Sequence, residues 1–328
     1  MVVADKSEME TVIRPVPASL GSDVKEADIA FPAEQDWTLH GRLFEPITPP
    51  PTSASVIVLS GAAAVPEGFY WSFARHLVRH GAAAVLTYDY RGIGRSSGDR
   101  SRWRDLRMAD WGRLDFAAAI RLMVERFPDN DLVGCGHSYG GQAPGLTRES
   151  ANFVRYGTVA TMSGYWAKTD QPMRVWAQTQ LMGRPLAALL GQVPKPLSVG
   201  EAMPGGIMLD WAKWIASRNY FFDDPSVSEA AHFADVQMPY LAVHVVDDLW
   251  GTRAAIIDFM RHYTGTDVRL LTLKPGESGP VGHLGFFRKA HRDVHWPVLT
   301  DWLLHGIMPQ QTESVAQAAL DLTPRSTK

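Results

Sequence analysis

Asp131-Leu132-Val133-Gly134-Cys135-Gly136-His137-Ser138-Tyr139-Gly140 decides both fold and chemistry. Residues Asp131 to Cys135 make a short apolar run, the kind that is buried on both faces of a parallel sheet. The run ends at Gly136-x-Ser138-x-Gly140, and Tyr139 to Glu149 then reads as a helix. A serine at so tight a strand-to-helix turn needs a strained backbone, and Cβ atoms two residues to either side would collide there. That accounts for both glycines. The turn also brings the serine to a helix N-terminus, where free N–H groups and the helix dipole favour developing negative charge. Five-residue patterns recur by chance; the flanking strand and helix give this one its meaning. His137 points another way from such a turn and is expected to pack.

The same alternation extends in both directions. Trp37 to Phe44 alternates apolar and polar residues, as a half-buried antiparallel strand does. Val56 to Leu59 and Ala82 to Tyr88 read as buried strands, separated by a helix from Gly68 to His80 that Gly81 closes. Asp105 to Phe127 reads as a helix and Phe153 to Met162 as a strand. Beyond the centre, Tyr240 to Val246 and Val268 to Leu273 read as strands, with helices at Thr252 to Tyr263 and Lys289 to His305. Strands alternating with helices predict an α/β fold with a parallel sheet flanked on both faces. The alternation lapses between Gly164 and Asp235, a stretch rich in Trp, Phe, Met and Pro that reads as a helical cap insertion. The expected organisation is an N-terminal extension (1–25), a core (26–163 and 236–308), the cap (164–235) and a polar C-terminal tail (309–328).

Composition excludes several partner classes. The 328 residues carry a net charge of -3, with no basic patch to suit nucleic acid. A single cysteine, Cys135, cannot form an internal disulfide, which favours a reducing compartment. Met1 to Leu20 carries Asp5, Glu8 and Glu10 and is not a signal peptide, and no stretch approaches the roughly 20 apolar residues of a membrane span. A cytoplasmic protein is the default, with homodimerisation left open. No His-x-x-x-His or similar cluster suggests a metal, and no cofactor is expected. Asp89 to Ser96 is glycine-rich but lacks both the Gly-Lys-Ser/Thr ending of a phosphate loop and dinucleotide spacing, so it reads as a structural loop.

Serine needs an adjacent base, itself oriented by a carboxylate. Of the histidines after the turn, His244 lies inside an apolar strand, and His291, His295 and His305 fall in a helical segment. His283 sits between the last strand and the last helix, flanked by Gly282 and Gly285, and is the expected base. The acid is expected just beyond Tyr240 to Val246, where Asp247 and Asp248 are adjacent; Asp223, Asp224 and Asp235 are poorer candidates.

From Asp28 to Gly306 the chain resembles the α/β-hydrolase superfamily, and within it a bacterial group of serine hydrolases. The resemblance rests on Leu59-Ser60-Gly61-Ala62, on Asp89 to Ser96, on the serine turn, on Asp247-Asp248 and on Gly282-His283-Leu284-Gly285-Phe286-Phe287. It implies an eight-stranded, mainly parallel sheet and the order Ser, acid, His. Similar sequences place the acid after a small turn, which favours Asp248; Asp247 would then bond backbone N–H groups of that turn. The family's oxyanion hole uses the N–H of the residue after the nucleophile, here Tyr139, and one from the loop after Val56 to Leu59. Many relatives have His-Gly in that loop. This chain has Ser60-Gly61-Ala62-Ala63-Ala64, and Ala62 is the first choice for the donor, with Ala63 the alternative.

Trp166, Trp176, Trp211 and Trp214 fall within the insertion and are expected to line an apolar pocket above Ser138 for a hydrophobic acyl or aromatic substrate. The leading expectation is therefore an esterase-like serine hydrolase cleaving an ester or thioester through an acyl-enzyme. An acyltransferase with the same triad and a non-catalytic ligand binder are the alternatives. Dehalogenase chemistry is disfavoured because the turn carries serine where those relatives carry aspartate.

Overall fold

A computed structural model describes residues 10–16, 23–48, 53–198 and 200–321. Twelve strands are present among them: β1 (Val12–Val16), β2 (Val24–Ala33), β3 (Trp37–Pro46), β4 (Val56–Ser60), β5 (Ala84–Tyr88), β6 (Leu132–His137), β7 (Phe153–Val159), β8 (Gln192–Val193), β9 (Met203–Pro204), β10 (Tyr240–Val245), β11 (Val268–Leu273) and β12 (Thr312–Ser314). All but β8 and β9, which pair with each other, form one sheet in the order β1-β2-β3-β5-β4-β6-β7-β10-β11-β12. From β5 to β11 every pairing is parallel. The β3 strand runs antiparallel to β5, β2 to β3, and β12 to β11.

Side-chain pattern follows position in the sheet. The central β4, β5, β6 and β10 are buried at every residue. They are covered on both faces and therefore run apolar rather than alternating. By contrast β3 alternates buried and half-buried residues near the antiparallel edge. Two apolar cores result, one per face. One holds Phe73 and Leu77 of the helix Trp71–Arg79 together with Trp296 and Trp302 of the helix Trp296–His305. The other holds Phe116 and Ile120 near the helix Ala117–Arg126 with Phe259 and Met260 of the helix Arg253–Met260.

Eight strands, β2 to β7 with β10 and β11, make the expected mainly parallel sheet, and a short strand is added at each edge. The β1 strand falls in the stretch read as an N-terminal extension, where Val12 to Val16 pair with Ala30 to Glu26. None of its side chains is fully buried; backbone pairing and the partly buried Ile13 against the core place it, and no apolar period announces it. The β12 strand and the helix Val315–Asp321, with Val315 and Ala318 buried, pack a part of the segment read as a polar tail. Residues 1–9, 17–22 and 322–328 of those two segments lie outside the described residues.

The helix expected from Tyr139 to Glu149 is instead three 3-10 turns, Ser138–Gly141, Ala143–Leu146 and Arg148–Asn152. Pro144 has no N–H to donate, and glycine is a poor helix former. Those glycines are retained because side chains would not fit: a Cβ at Gly141 would lie 2.2 Å from Thr158 Oγ1, and one at Gly145 2.3 Å from the Phe233 ring. Residues 164–235 are mostly helical, with helices Pro172–Trp176, Arg184–Leu190 and Gly205–Ala216 and 3-10 turns at Tyr220–Asp223 and Ser228–Asp235. No helix among the described residues is long and apolar enough to cross a membrane.

Candidate active site

The β6 strand ends at the sheet's carboxyl edge and delivers Ser138 with φ +52°. A left-handed backbone at a non-glycine residue costs about 1–3 kcal/mol and persists only where neighbours enforce it. The enforcement is visible in the glycines. A Cβ at Gly136 would meet Gly141 N at 2.5 Å, and one at Gly140 would meet Ser60 O at 2.1 Å. Buried hydroxyls satisfy the carbonyls that the tight turn leaves without helical partners. Thr161 Oγ1 donates to Ser138 O (2.8 Å), Tyr156 Oη to Gly140 O (2.7 Å) and Tyr240 Oη to Gly141 O (2.7 Å).

His283 and Asp248 converge on that serine. His283 Nε2 lies 3.1 Å from Ser138 Oγ, and its Nδ1 lies 2.8 Å from Asp248 Oδ2. Because a carboxylate only accepts, Nδ1 carries the proton and Nε2 faces the serine as an acceptor. Asp248 Oδ1 accepts the N–H groups of Trp250 and Gly251, both at 2.9 Å. Burial pushes the Asp248 carboxyl up, but the charge and hydrogen bond of His283 and the two backbone N–H groups outweigh it and hold it below the usual range. Its neighbour Asp247 points away and binds the N–H groups of Val281 (2.9 Å) and Gly282 (3.0 Å). Asp247 thus holds the segment that presents His283, rather than its own turn as expected. His244 pairs loosely with Thr272 (3.4 Å), His291 bonds Ser278 (2.9 Å) and His262 stacks on Phe222, all away from Ser138.

The loop after β4 is held on three sides. Tyr70 Oη accepts the N–H of Ala62 (2.8 Å), Val65 N–H donates to Ala62 O (3.1 Å), and Glu201 N–H donates to Ala64 O (2.7 Å). Ala64 takes φ +60° to make the turn. Among the described residues no acceptor engages the N–H of Ala63 or that of Tyr139. The donor first chosen from sequence, Ala62, is therefore already occupied, because Tyr70 reaches it; the adjacent Ala63 N–H has no acceptor among the described residues. Neither Tyr70 nor His137 carried a sequence signal for this site, yet His137 Nδ1 lies 2.8 Å from Tyr70 Oη and its Nε2 2.8 Å from His283 O.

The four tryptophans separate. Trp211 lines a cavity of about 170 Å³ with Trp250, Met182, Met203, Met208, Val193 and others, and its ring stacks on Trp250 at 5.8 Å. Trp214 is instead core, fully buried with Nε1 donating to Asp224 Oδ2 (2.8 Å). Trp166 and Trp176 are half-buried and do not form that wall, nor does Ser138. Trp250, which followed the aspartate pair and went unremarked, joins the cavity to Asp248 through its own N–H.

The segment Asp89 to Ser96 is structural. Asp89 accepts the N–H groups of Glu67 (2.7 Å) and Arg95 (2.8 Å), and Arg95 reaches Glu67 and Asp28. Arg91 is fully buried against Asp115, at 2.7 Å from Nε to Oδ1.

Strand order, serine turn and the Ser138–His283–Asp248 alignment coincide with a match of the defining pattern of the alpha/beta hydrolase family over residues 56–294. The chain belongs to that family. Among solved alpha/beta hydrolases, it is similar to a soluble variant of monoglyceride lipase from Saccharomyces cerevisiae, with a TM-score of 0.60 and 16% identity over 88% of this chain and 98% of that one. It is also similar to the acetyl xylan esterase from Paenibacillus sp. R4 (TM-score 0.54, 14% identity, 83% of each chain). A third is an acylaminoacyl peptidase from Pyrococcus horikoshii (TM-score 0.55, 16% identity), of which the match spans 44% and which covers 92% of this chain. At these identities the likeness is one of fold. No curated protein matches the chain.

Proposed function

We propose that this alpha/beta hydrolase cleaves an ester or thioester through an acyl-enzyme on Ser138. The observation that carries the reading is the continuous Ser138 Oγ–His283 Nε2 and His283 Nδ1–Asp248 Oδ2 contact, at 3.1 and 2.8 Å. Ser138 Oγ attacks the carbonyl carbon while its proton passes to His283 Nε2, and Asp248 stabilises the imidazolium without taking the proton. The carbonyl oxygen, now negative, is received by the N–H groups of Tyr139 and Ala63, each such donor contributing about 3 kcal/mol to transition-state stability. Collapse expels the alcohol or thiol with the proton from His283. Water then attacks the acyl-enzyme by the same route and releases the acid.

The apolar cavity bearing Trp211 and Trp250 is not lined by Ser138 but adjoins Asp248 through the Trp250 N–H, and it is what favours an apolar acyl or aromatic group as the part recognised. The esterase and lipase named among the similar structures accord with ester chemistry. A fluorophosphonate probe is expected to label the wild-type chain on the peptide containing Ser138, and Ser138→Ala to lose both labelling and turnover of p-nitrophenyl esters. Labelling that persists in Ser138→Ala would overturn the assignment.

The two aspartates are expected to separate by size of effect. Asp247→Ala leaves the imidazole its own carboxylate and only loosens the segment bearing it, so kcat falls about tenfold, on the scale of a misplaced rather than missing group. Steady-state kinetics beside Asp248→Asn check this; equal losses would mean that the roles are shared.

A further inference from the structure

We infer that Tyr70 and His137 are positioning residues, forming one directed hydrogen-bond chain that fixes the Ala63 N–H and the His283 backbone relative to each other. The inference rests on the proposed roles of Ser138, His283 and Ala63. Every proton in the chain is determined by what its neighbour can do. The carbonyl of His283 only accepts, so His137 Nε2 must carry the proton it shares with that oxygen at 2.8 Å. In a neutral ring Nδ1 is then bare and accepts, so Tyr70 Oη donates to it at 2.8 Å. The Tyr70 oxygen is left to accept, and it takes the Ala62 N–H at 2.8 Å. No link can be reversed while the others stand.

Neutrality of His137 follows from the surroundings. Its ring is fully buried, facing Tyr70, Phe287 and His283. Burial first, and then the neighbouring charge of His283, lower its pKa to about 3, against weaker opposing pulls from the His283 carbonyl and Asp248. A cationic His137 would also leave the Tyr70 hydroxyl proton with no acceptor in this chain and would repel the imidazolium formed on His283.

The consequence reaches the substrate carbonyl through one peptide plane. Tyr70 holds the Ala62 N–H while Val65 N–H holds the Ala62 carbonyl, so the residue is pinned at both ends. The Ala63 N–H lies trans to that carbonyl across a planar bond and has no remaining freedom of direction. On the other side, the His137 proton fixes the carbonyl of His283 itself. A residue that packs passively in the turn would connect nothing; His137 joins the group that receives the oxyanion to the group that moves the proton.

Tyr70→Phe keeps the ring and removes the relay. It is expected to lower kcat for p-nitrophenyl acetate about 10–100-fold, with KM changed less than about twofold, because the misdirected donor acts on the transition state. His137→Ala is expected to match it. His137→Gln, which keeps one acceptor and one donor, is expected to recover part of the loss. Because the links act in series, Tyr70→Phe with His137→Ala should fall no more than about twofold below the poorer single variant. Full activity in folded Tyr70→Phe, or losses that multiply in the pair, would overturn the inference. Should a variant fail to fold, ¹⁵N spectra of the wild-type histidines decide: His137 is expected as the Nε2–H tautomer, unchanged from about pH 5 to 9. The opposite tautomer, or titration in that range, overturns it. Fluorophosphonate labelling of the wild type is scored alongside. If the wild type does not label, the reading of Ser138 has failed; if it labels and Tyr70→Phe labels as fast, only the relay has.

Discussion

His283→Ala is expected to lower kcat on a p-nitrophenyl ester by about five to six orders of magnitude, with KM within about threefold, because the proposed base acts in the transition state and not in binding. Among the described residues Ser138 Oγ has no other base within reach: its remaining polar contact there is Met162 Sδ at 4.0 Å. Asp248→Asn costs less, about four orders, since the amide preserves the packing but favours the wrong imidazole tautomer. The Asp248 carboxyl is held below the usual carboxylate range, chiefly by His283 once burial is overcome, so it stays ionised in any neutral assay. Ser138→Ala combined with His283→Ala is expected to be no slower than either alone, because the residues act as a unit. Stopped-time assays with purified variants measure this; a His283→Ala variant within about a hundredfold of wild type would remove His283 from the reaction.

Arg91→Met is expected to produce the largest loss of stability, about 3–5 kcal/mol near neutral pH. Arg91 and Asp115 are both fully buried, so truncating the cation leaves a carboxylate with no solvent to turn to. Burial already raises the Asp115 pKa to about 6 although Arg91 opposes it. A folded-state pKa above the unfolded value of about 3.8 means that ionisation costs stability as pH rises through that interval. Without Arg91 the interval widens upward, so the variant's deficit grows from pH 5 to pH 7.5 and is partly relieved at the acid end. Urea unfolding at the two pH values checks this. A deficit below about 1 kcal/mol, or one equal at both, would show that the pair is replaceable.

The parts of this molecule legible in sequence are those set by local constraint. Ser138 was legible because the strained turn demands two glycines within five residues, and a Cβ at either would strike backbone within 2.6 Å. His283 followed from chain order and its flanking glycines. The choice between Asp247 and Asp248 is different: adjacent side chains at a strand end diverge, and which one meets the base depends on where residues 278–283 return. The resemblance favoured the correct neighbour of His283, but only the fold shows Asp247 bonded to Val281 and Gly282. Trp211 and Trp214 illustrate the same limit within one helix. Three positions apart, one faces a cavity and the other is sealed against Asp224, and aromatic content alone does not distinguish them. The helix expected after the turn does not form because Pro144 and three glycines, Gly140, Gly141 and Gly145, disfavour it. Tyr70 was invisible for a plainer reason: its role depends on His137, 67 residues away.

The backbone contact from Glu201 to Ala64 has a consequence for how such a protein changes over time. Gly200 lies so close beneath it that a Cβ there would stand 2.3 Å from the Ala64 oxygen. In the proposed function, residues 164–235 shape the ligand's surroundings and the loop after β4 stabilises charge on it, and this contact ties the two together. On that reading, exchanging or resurfacing the helices on either side of this contact is expected to change the ligand preference. The contact itself is not exchangeable in this sense. A chimera that imports a foreign insertion without a glycine and an available N–H at this spot inherits the new preference with a misaligned reaction centre, and would be read, wrongly, as having acquired a poor substrate.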